Sequence, residues 1–176
     1  MRKYFFFIML MNASLVQASV IKGLDLRLDK AVEIKTPTDK PSVYYFLSAW
    51  CPCSQGTFDH LNSLQKKYKN FNFVGFHSST KVPKVEALKY FAKYKIDFPI
   101  IMDNDVKYAD QFKAVKTPHV FVISSKGKVL FQGGATDSKT VAKAKKFFLK
   151  DALAAISKGQ KPKVQNARAL GCYIQR

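Results

Sequence analysis

The sequence predicts an α/β sandwich, in which a mixed sheet is flanked by helices within one domain. Strand and helix patterns alternate from residue 43 to residue 102, which is typical of parallel β-α-β units. A strand hairpin and a closing helix follow these units. The 176-residue chain is 47% apolar and contains 15 Phe, 8 Tyr and 1 Trp. This is enough apolar surface to fill one core, and it excludes an intrinsically disordered chain.

The N-terminal residues have the pattern of a secretory signal peptide. Arg2 and Lys3 precede an apolar run over residues 4–11, and a small residue, Ala18, occupies a suitable cleavage position. The run is shorter than the roughly 20 residues that span a bilayer. An uncleaved N-terminal anchor is the alternative. We therefore expect an exported, periplasmic protein that is cleaved after Ala18.

Residues 19–158 are expected to form the domain, and residues 159–176 a C-terminal tail that carries Cys172. Within the domain, residues 22–35 alternate apolar and polar side chains, which predicts short edge strands or a hairpin. The continuous apolar run Val43–Leu47 is typical of a strand that is buried on both faces.

A helix is predicted to follow from Ser54, because apolar residues recur there at helical spacing: Phe58, Leu61, Leu64 and Tyr68. Residues 72–76 then predict a short strand. A second helix is predicted where apolar residues recur at every third position: Val85, Leu88, Phe91 and Tyr94. A strand over residues 98–102 and a short helical piece over residues 106–112 are expected next.

Residues 119–123 and 128–131 flank a turn that contains Gly127, which predicts a β-hairpin. The last element is a long helix marked by apolar residues from Val141 to Ile156. We expect it to end near Gly159, because glycine commonly terminates helices.

The net charge is +18, from 30 Lys and Arg against 12 Asp and Glu, and it falls to +16 once Arg2 and Lys3 are removed. An exported protein meets no genome, and the charge is mostly lysine, which lacks the planar fork used in base recognition. Nucleic acid is therefore not an expected partner. Several lysines lie beside apolar helical positions and predict a solvated face or, alternatively, attraction to an anionic membrane surface: Lys66, Lys67, Lys143, Lys145 and Lys146.

The strongest chemical signal is Trp50-Cys51-Pro52-Cys53-Ser54, where the buried strand ends and the first helix begins. Unpaired backbone N–H groups and the macrodipole at a helix N-terminus favour a thiolate and lower the pKa of a cysteine there. Cys51 is therefore the candidate nucleophile. The alternatives are a pair of small buried hydrophobic residues or a static disulfide formed on export.

Residues 46–54, FLSAWCPCS, resemble the active-site strand and turn of the thioredoxin superfamily, and in particular its redoxin branch of exported AhpC/TSA-like and TlpA-like proteins. Residues 117–123, TPHVFVI, followed by Gly127 and Gly133, are similar to the strand and hairpin that face the cysteine in this family. The resemblance covers roughly residues 39–156.

This resemblance implies a thioredoxin-like three-layer sandwich. It also implies that the peptide bond before Pro118 is cis, which is inexpensive only for X-Pro bonds. A cis bond would present the backbone of Thr117 to a partner strand beside Cys51.

The chain also departs from the family pattern. Ser54 stands where thioredoxins have the second cysteine of Cys-x-x-Cys, and Cys53 lies one residue early. Tyr45 replaces a buried acid that many thioredoxins carry. Tyr44 stands where a peroxiredoxin has proline, although Ser48 fits the Thr or Ser position, and the core has no evident arginine to contact the sulfur. Peroxide reduction is therefore poorly supported.

Two thiols are candidates for resolving an intermediate on Cys51. A bond from Cys51 to Cys53 closes a small ring, whose strain would make it easily reduced. Cys172 lies in the ending LGCYIQR, which resembles the Gly-Cys C-terminus of some redoxins, and this apolar ending predicts a tail that docks. A simple anchoring tail with an incidental thiol is the alternative.

We expect a thiol-disulfide oxidoreductase that acts on protein thiols and disulfides or on a small peroxide, with a membrane-bound or exported redox partner as reductant. No cofactor and no metal is expected. The expected catalytic residues are Cys51, Cys53, Cys172 and Pro118, and the expected substrate contacts are Trp50, Thr117 and His119.

Two other classes of function compete with this enzyme. A copper-binding chaperone would use Cys51 and Cys53 together with His77 or His119, because soft thiolates and an imidazole suit Cu(I). The Cys-x-x-x-Cys pair of exported copper chaperones with this fold is absent. A non-catalytic platform would bind strand-like peptides at the edge near Pro118.

Overall fold

The computed structural model describes residues 20–176, so the predicted signal peptide and its cleavage site lie outside the described residues. A seven-stranded sheet has the order β2-β1-β5-β4-β3-β7-β8, and a two-stranded sheet pairs β6 with β9. The strands are β1 Val20–Asp25, β2 Lys30–Lys35, β3 Ser42–Leu47, β4 Asn72–Ser78, β5 Ile100–Asp103, β6 Lys116–Thr117, β7 His119–Ile123, β8 Val129–Gly133 and β9 Cys172–Tyr173.

Helices cover both faces of the main sheet. They are α1 Pro52–Gln55, α2 Phe58–Lys67, α3 Lys84–Phe91, α4 Lys107–Gln111 and α5 Phe148–Ser157, with a 3-10 turn at Val141–Lys143. Strands β3, β4 and β5 run parallel, whereas β1, β7 and β8 pair antiparallel. The predicted α/β sandwich with a mixed sheet is therefore confirmed.

Strand β3 lies inside the sheet, and all six of its residues are buried. Because side chains alternate across a strand, Tyr45 and its neighbours at even spacing face the core formed with α2, α3 and α5. Tyr44 and Phe46 face the opposite core, which includes α4 residues. The predicted strand buried on both faces is confirmed, and it leads directly to the cysteine turn.

The final helix is shorter than predicted. Only a 3-10 turn forms at Val141–Lys143, and α5 begins at Phe148. The side chain of Asp137 accepts backbone hydrogen bonds from Lys145 and Lys146, at 2.9 and 3.0 Å, and holds the intervening segment in a non-helical path. If the helix began at Val141, Lys143, Lys145 and Lys146 would lie near its N-terminus, where the positive end of the macrodipole disfavours cations.

The predicted end of this helix is confirmed. Gly159 has a φ of +70°, the left-handed conformation that glycine adopts readily. Its N–H donates to Ile156 O at 2.9 Å, and the next N–H, of Gln160, donates to Ala155 O at 2.9 Å. This pair of bonds is a Schellman motif, which satisfies carbonyls left free at the helix end.

The predicted second helix also forms, as α3, but its buried face differs from the apolar pattern. Val85 is 59% exposed, whereas Ala87 and Phe91 are buried. Positions three apart drift steadily around a helix of 3.6 residues per turn, so Val85 does not share a face with Phe91, and Tyr94 lies beyond the end of α3. Within residues 20–176, no helix combines the length and apolarity needed to cross a bilayer.

A buried ion pair ties the N-terminal hairpin to β5. Asp25 is almost fully buried, and Arg27 Nη2 contacts its Oδ2 at 2.7 Å. Asp25 Oδ1 also accepts the N–H of Ile100 at 3.3 Å, and Arg27 Nη1 donates to Ile96 O at 3.1 Å. These bonds compensate for the cost of burying the carboxylate.

Replacing Arg27 with alanine should therefore leave a buried, unpaired carboxylate. We expect R27A to lower the free energy of unfolding by about 3 kcal/mol, the lower end of the range for a broken buried pair. Urea denaturation followed by circular dichroism measures this loss. The matched control is K22A, which removes an exposed ion pair with Glu33 and should cost less than about 1 kcal/mol. Equal losses in the two variants would contradict the prediction.

Candidate active site

Cys51 follows strand β3 and is the N-cap residue of α1. Its carbonyl accepts the N–H groups of Ser54 and Gln55, at 2.9 and 3.3 Å, and Pro52 occupies the first helical turn. Proline fits there because it needs no hydrogen bond at a helix start. The side chain of Cys51 is only 1% exposed.

Thr117 faces Cys51 from the other side of the site. The Cys51 thiol donates to Thr117 O with an Sγ···O distance of 3.0 Å. The Thr117–Pro118 peptide bond is cis, as the family resemblance implied. The backbone that follows Pro118 is held by the main sheet, because His119 of β7 pairs with Phe46 of β3.

The C-terminal tail brings Cys172 to the same place. Strand β9 pairs antiparallel with β6, with Cys172 opposite Thr117 and Tyr173 opposite Lys116. Cys172 forms hydrogen bonds with Cys51 through both its side chain and its backbone. The three cysteines all lie in the described part of the chain, and all are free thiols.

The surroundings of Cys51 shift its acidity. Burial alone raises the pKa of Cys51, but hydrogen bonds from the side chain and backbone of Cys172, with smaller contributions from Thr117 and Ser54, lower it to about 7. Helix α1 has only four residues, so few peptide dipoles add to the effect. Hydrogen bonding is therefore the main cause, rather than the helix terminus that the sequence indicated.

The two other thiols shift in the opposite direction. Burial raises the pKa of Cys53, and the neighbouring Cys51 raises it further. Burial, the hydrogen bond with Cys51 and the charge of Cys51 together raise the pKa of Cys172. Lys139 opposes both shifts through its positive charge. Cys51 is therefore the thiol that ionises first in this cluster.

A small cavity of about 60 Å³ opens onto Cys51 and Cys172, whereas Cys53 does not line it. Trp50, at its rim, is 54% exposed. The cavity is lined by Ser48, Trp50, Cys51, Ser78, Ser79, Thr117, Cys172, Tyr173 and Gln175. Of the three predicted substrate contacts, Trp50 and Thr117 lie at this cavity, whereas His119 is not among its lining residues.

Tyr45, which replaces the buried acid of many thioredoxins, and Ser54, which replaces their second cysteine, take part in hydrogen bonds that support the cysteine turn. The hydroxyl of buried Tyr45 lies 2.7 Å from Thr57 Oγ1, which donates to Ser54 O at 2.6 Å. Ser54 Oγ accepts the N–H of Ser48 at 3.2 Å. Burial raises the pKa of Tyr45, so this residue stays neutral and cannot act as the buried acid would.

The two histidines considered as copper ligands lie on opposite faces of the sheet. His77 contacts Phe91 in one core, and His119 contacts Phe121 in the other. Burial lowers the pKa of each to about 4. From residue 20 to the C-terminus, no group of three or more His, Cys, Asp or Glu side chains is arranged to hold a metal ion.

Sequence reasoning missed the residues that reach the site from distant segments. Ser78, the last residue of β4, the following Ser79, and Gln175 in the tail line the cavity. Lys139 acts on Cys53 and Cys172 through its charge. Ordinary surface residue types of this kind carry no motif. The end of β4 could have been placed near Cys51, because the carboxyl ends of neighbouring parallel strands share one sheet edge.

Comparison with known proteins supports the same region of the chain. The model of the AhpC/TSA family matches residues 18–132, more than half of the chain. Thiol-disulfide oxidoreductase ResA of Bacillus subtilis is 22% identical over 101 residues, which cover 57% of this chain and 56% of that protein. The chain thus matches little more than half the length of this curated relative.

Solved structures share the fold at low sequence identity. An uncharacterised conserved protein of Geobacillus kaustophilus has a TM-score of 0.78 at 20% identity and covers 91% of this chain and 90% of its own. A secreted disulfide oxidoreductase of Mycobacterium tuberculosis, homologous to E. coli DsbE, has a TM-score of 0.59 at 17% identity, over 80% of this chain and 96% of its own. Together with the strand-to-helix cysteine turn that it contains, the matched segment shows that this chain belongs to the AhpC/TSA family.

Proposed function

We propose that this protein is an exported thiol-disulfide oxidoreductase in which Cys51 is the nucleophile and Cys172 the resolving cysteine. The observation that carries this proposal is the contact between a buried Cys51, whose pKa is lowered to about 7, and a second thiol held against it by the docked tail. A thiolate is the form that attacks disulfides, and it is well populated at neutral pH when its pKa lies near 7.

The exchange occurs in two balanced steps. The Cys51 thiolate attacks one sulfur of a substrate disulfide, forms a mixed disulfide and expels the other substrate sulfur as a thiolate. Cys172 then loses its proton to solvent and attacks the Cys51 sulfur, which releases the second substrate thiolate and leaves a Cys51–Cys172 disulfide. Two electrons pass from the protein dithiol to the substrate.

The charge of Cys51 controls the timing of the second step. While Cys51 is a thiolate, it raises the pKa of Cys172, so Cys172 stays protonated. Once Cys51 is bonded to substrate, that charge and that hydrogen bond are gone, and the pKa of Cys172 falls toward its ordinary value. Cys172 thus becomes reactive after the mixed disulfide has formed.

Cys172 is favoured over Cys53 by the contacts of each thiol. Cys172 lies on a strand that pairs with Thr117, whose carbonyl contacts Cys51. Cys53 lies two residues from Cys51, in helix α1, and a disulfide between them would close a small, strained ring. Cys53 is left as a third thiol that can exchange with the oxidised pair.

A disulfide is favoured over a peroxide as the substrate. Peroxiredoxins use an arginine beside the reactive sulfur. In the described part of this chain, Arg27 and Arg176 are instead held by Asp25 and Asp110, and the side chains and backbone that lower the pKa of Cys51 do not include an arginine. The curated relative from Bacillus subtilis is itself named a thiol-disulfide oxidoreductase.

Export and the reductant follow from the same proposal. The N-terminal sequence pattern and a secreted structural relative support export. Each turnover leaves an oxidised cysteine pair, so an exported or membrane-bound dithiol partner must return two electrons. The lysines that line a groove of about 830 Å³ along α5, including Lys145 and Lys146, would favour an anionic surface near such a partner.

Single-cysteine variants test the assigned roles. We expect C51S to reduce disulfide cleavage to background, because a hydroxyl cannot replace the thiolate. C172S should form the mixed disulfide but accumulate it, and C53S should complete a single turnover with little change in rate. Acid quenching followed by peptide mass mapping measures each species. Accumulation in C53S rather than C172S would reassign the resolving role, and turnover by C51S would overturn the proposal.

The pH dependence of alkylation tests the cause of the lowered pKa. In the wild type, iodoacetamide modification of Cys51 should rise with a midpoint near pH 7. C172A removes the side-chain donor to the thiolate and keeps the backbone N–H, so the midpoint should move up by about one to two pH units, given roughly 1.5–3 kcal/mol for one hydrogen bond to a charged group. C172S is the matched control, because its hydroxyl can still donate and should preserve part of the shift. An unchanged midpoint in C172A would contradict this assignment.

A further inference from the structure

The C-terminal tail lies outside the segment matched by the family model and crosses the active site. It first joins β8, where Asn166 bridges to Gln132 and the N–H of Ala167 donates to Gln132 O at 2.9 Å. Gly133, with a φ of +136°, allows this close approach, because a Cβ there would overlap the backbone of Ala167. The tail then continues to the strand that faces Cys51.

Strand β9 pairs with β6 beside Cys51 and so covers an edge of β6 that would otherwise be unpaired. Gly171 packs so closely against the carbonyl of Thr117 that a Cβ at this position would overlap it, and the same Cβ would lie 2.9 Å from Pro118 Cδ. Only glycine fits here while the tail stays docked. Cys172, the next residue, therefore reaches Cys51 because the backbone before it has no side chain.

The contacts that hold the end of the tail are largely exposed. They include hydrogen bonds from Thr80 N and Oγ1 to Gln175 O, both at 3.2 Å, and a part-buried one from Arg176 Nη2 to Ala114 O at 2.8 Å. Strand β9 pairs over only two residues, and Tyr173 is 73% exposed. Lys116 Nζ lies over the Tyr173 ring, 4.8 Å from the ring centroid. Arg176 donates to Asp110 Oδ1 at 2.9 Å through an exposed ion pair, which contributes little stability. Ile174 is the buried apolar anchor of this ending.

The docked tail leaves only a cavity of about 60 Å³ above Cys51. A void of this size admits a group no larger than a small side chain, whereas an extended polypeptide needs an open strand edge. The edge that could pair with such a segment beside Cys51 is the one that β9 already occupies.

We propose that residues 170–176 are a displaceable intramolecular occupant of the polypeptide-binding edge, so that polypeptide disulfides reach Cys51 only after β9 has left. This inference rests on the proposed function and adds a regulatory contact to it. Displacement frees the edge of β6 for one substrate strand, and the returning tail brings Cys172 back to release the product. The docked state therefore disfavours polypeptides relative to small disulfides.

The test compares two substrates in the full chain. Prereduced protein is mixed with insulin, as the polypeptide disulfide, or with hydroxyethyl disulfide, as the small one, and the loss of the Cys51 thiol is followed after acid quenching. The informative quantity is the ratio of the two rates. A change in the pKa of Cys51 affects both reactions and largely cancels in this ratio.

G171V should force the tail off the edge while keeping all three cysteines. If the undocked state of the wild type is populated at about 10% or less, the insulin-to-small-disulfide ratio should rise about tenfold or more in G171V. R176A, which removes the ion pair with Asp110 and the hydrogen bond to Ala114 O but leaves Gly171 and β9 in place, should raise it less. V164A trims an exposed tail side chain and should leave the ratio unchanged.

An unchanged ratio in G171V that retains the wild-type circular dichroism spectrum would overturn the inference. Loss of reaction with both disulfides in the wild type would instead overturn the proposed function. Native-state hydrogen exchange gives a second measurement if G171V does not fold. The amide of Ile174, which donates to Val115 O at 3.1 Å, should exchange far faster than the amides of β3, and equal protection would contradict a displaceable tail.

Discussion

The site depends on one constraint, which is that a buried thiol must remain able to ionise. Burial of Cys51 opposes the thiolate, and the lowered pKa exists only because donors converge on the sulfur from outside the cysteine turn. Most of that donation comes from Cys172, 121 residues away in the chain. The nucleophile is therefore completed by the tail and is not a property of the cysteine turn alone.

The sheet supplies the rigidity that this convergence requires. Strand β3 is paired on both edges, with β4 on one side and β7 on the other. The pairing of Phe46 with His119 places Pro118, and with it Thr117, next to the end of β3. Strand β6 then offers its edge to β9 at a fixed distance from Cys51. Because the edge that receives the tail is held by the sheet and does not move with it, weak contacts are enough to dock the tail in one position.

The sequence predicted the parts of the molecule that are determined by local pattern. The apolar run Val43–Leu47 identified the central strand, Gly127 the hairpin turn and Gly159 the end of α5. The predicted start of the last helix was wrong because a competing interaction acts there. The Asp137 carboxylate accepts the backbone N–H groups of Lys145 and Lys146, and α5 begins only after them. The length of that helix follows from a tertiary hydrogen bond that no apolar periodicity records.

The chemistry of the site was only partly predictable for the same reason. Cys51 could be identified from its place between a strand and a helix, and Cys172 only as one of two alternatives. The cause of the lowered pKa differs from the expected one, because α1 is a single turn and the donors are distant in sequence. Ser54, expected only as a missing cysteine, instead accepts the N–H of Ser48 and supports the turn.

The hydrogen bonds from Cys172 to Cys51 also make tail docking and proton binding antagonistic. A docked tail lowers the pKa of Cys51 to about 7, so by thermodynamic reciprocity the thiolate must hold the tail more tightly than the thiol does. This added affinity is fully present above the ordinary pKa of a free cysteine, and it is lost as the pH falls through about 7. Protonation of the buried Cys51 sulfur therefore weakens the docking of the last residues of the chain.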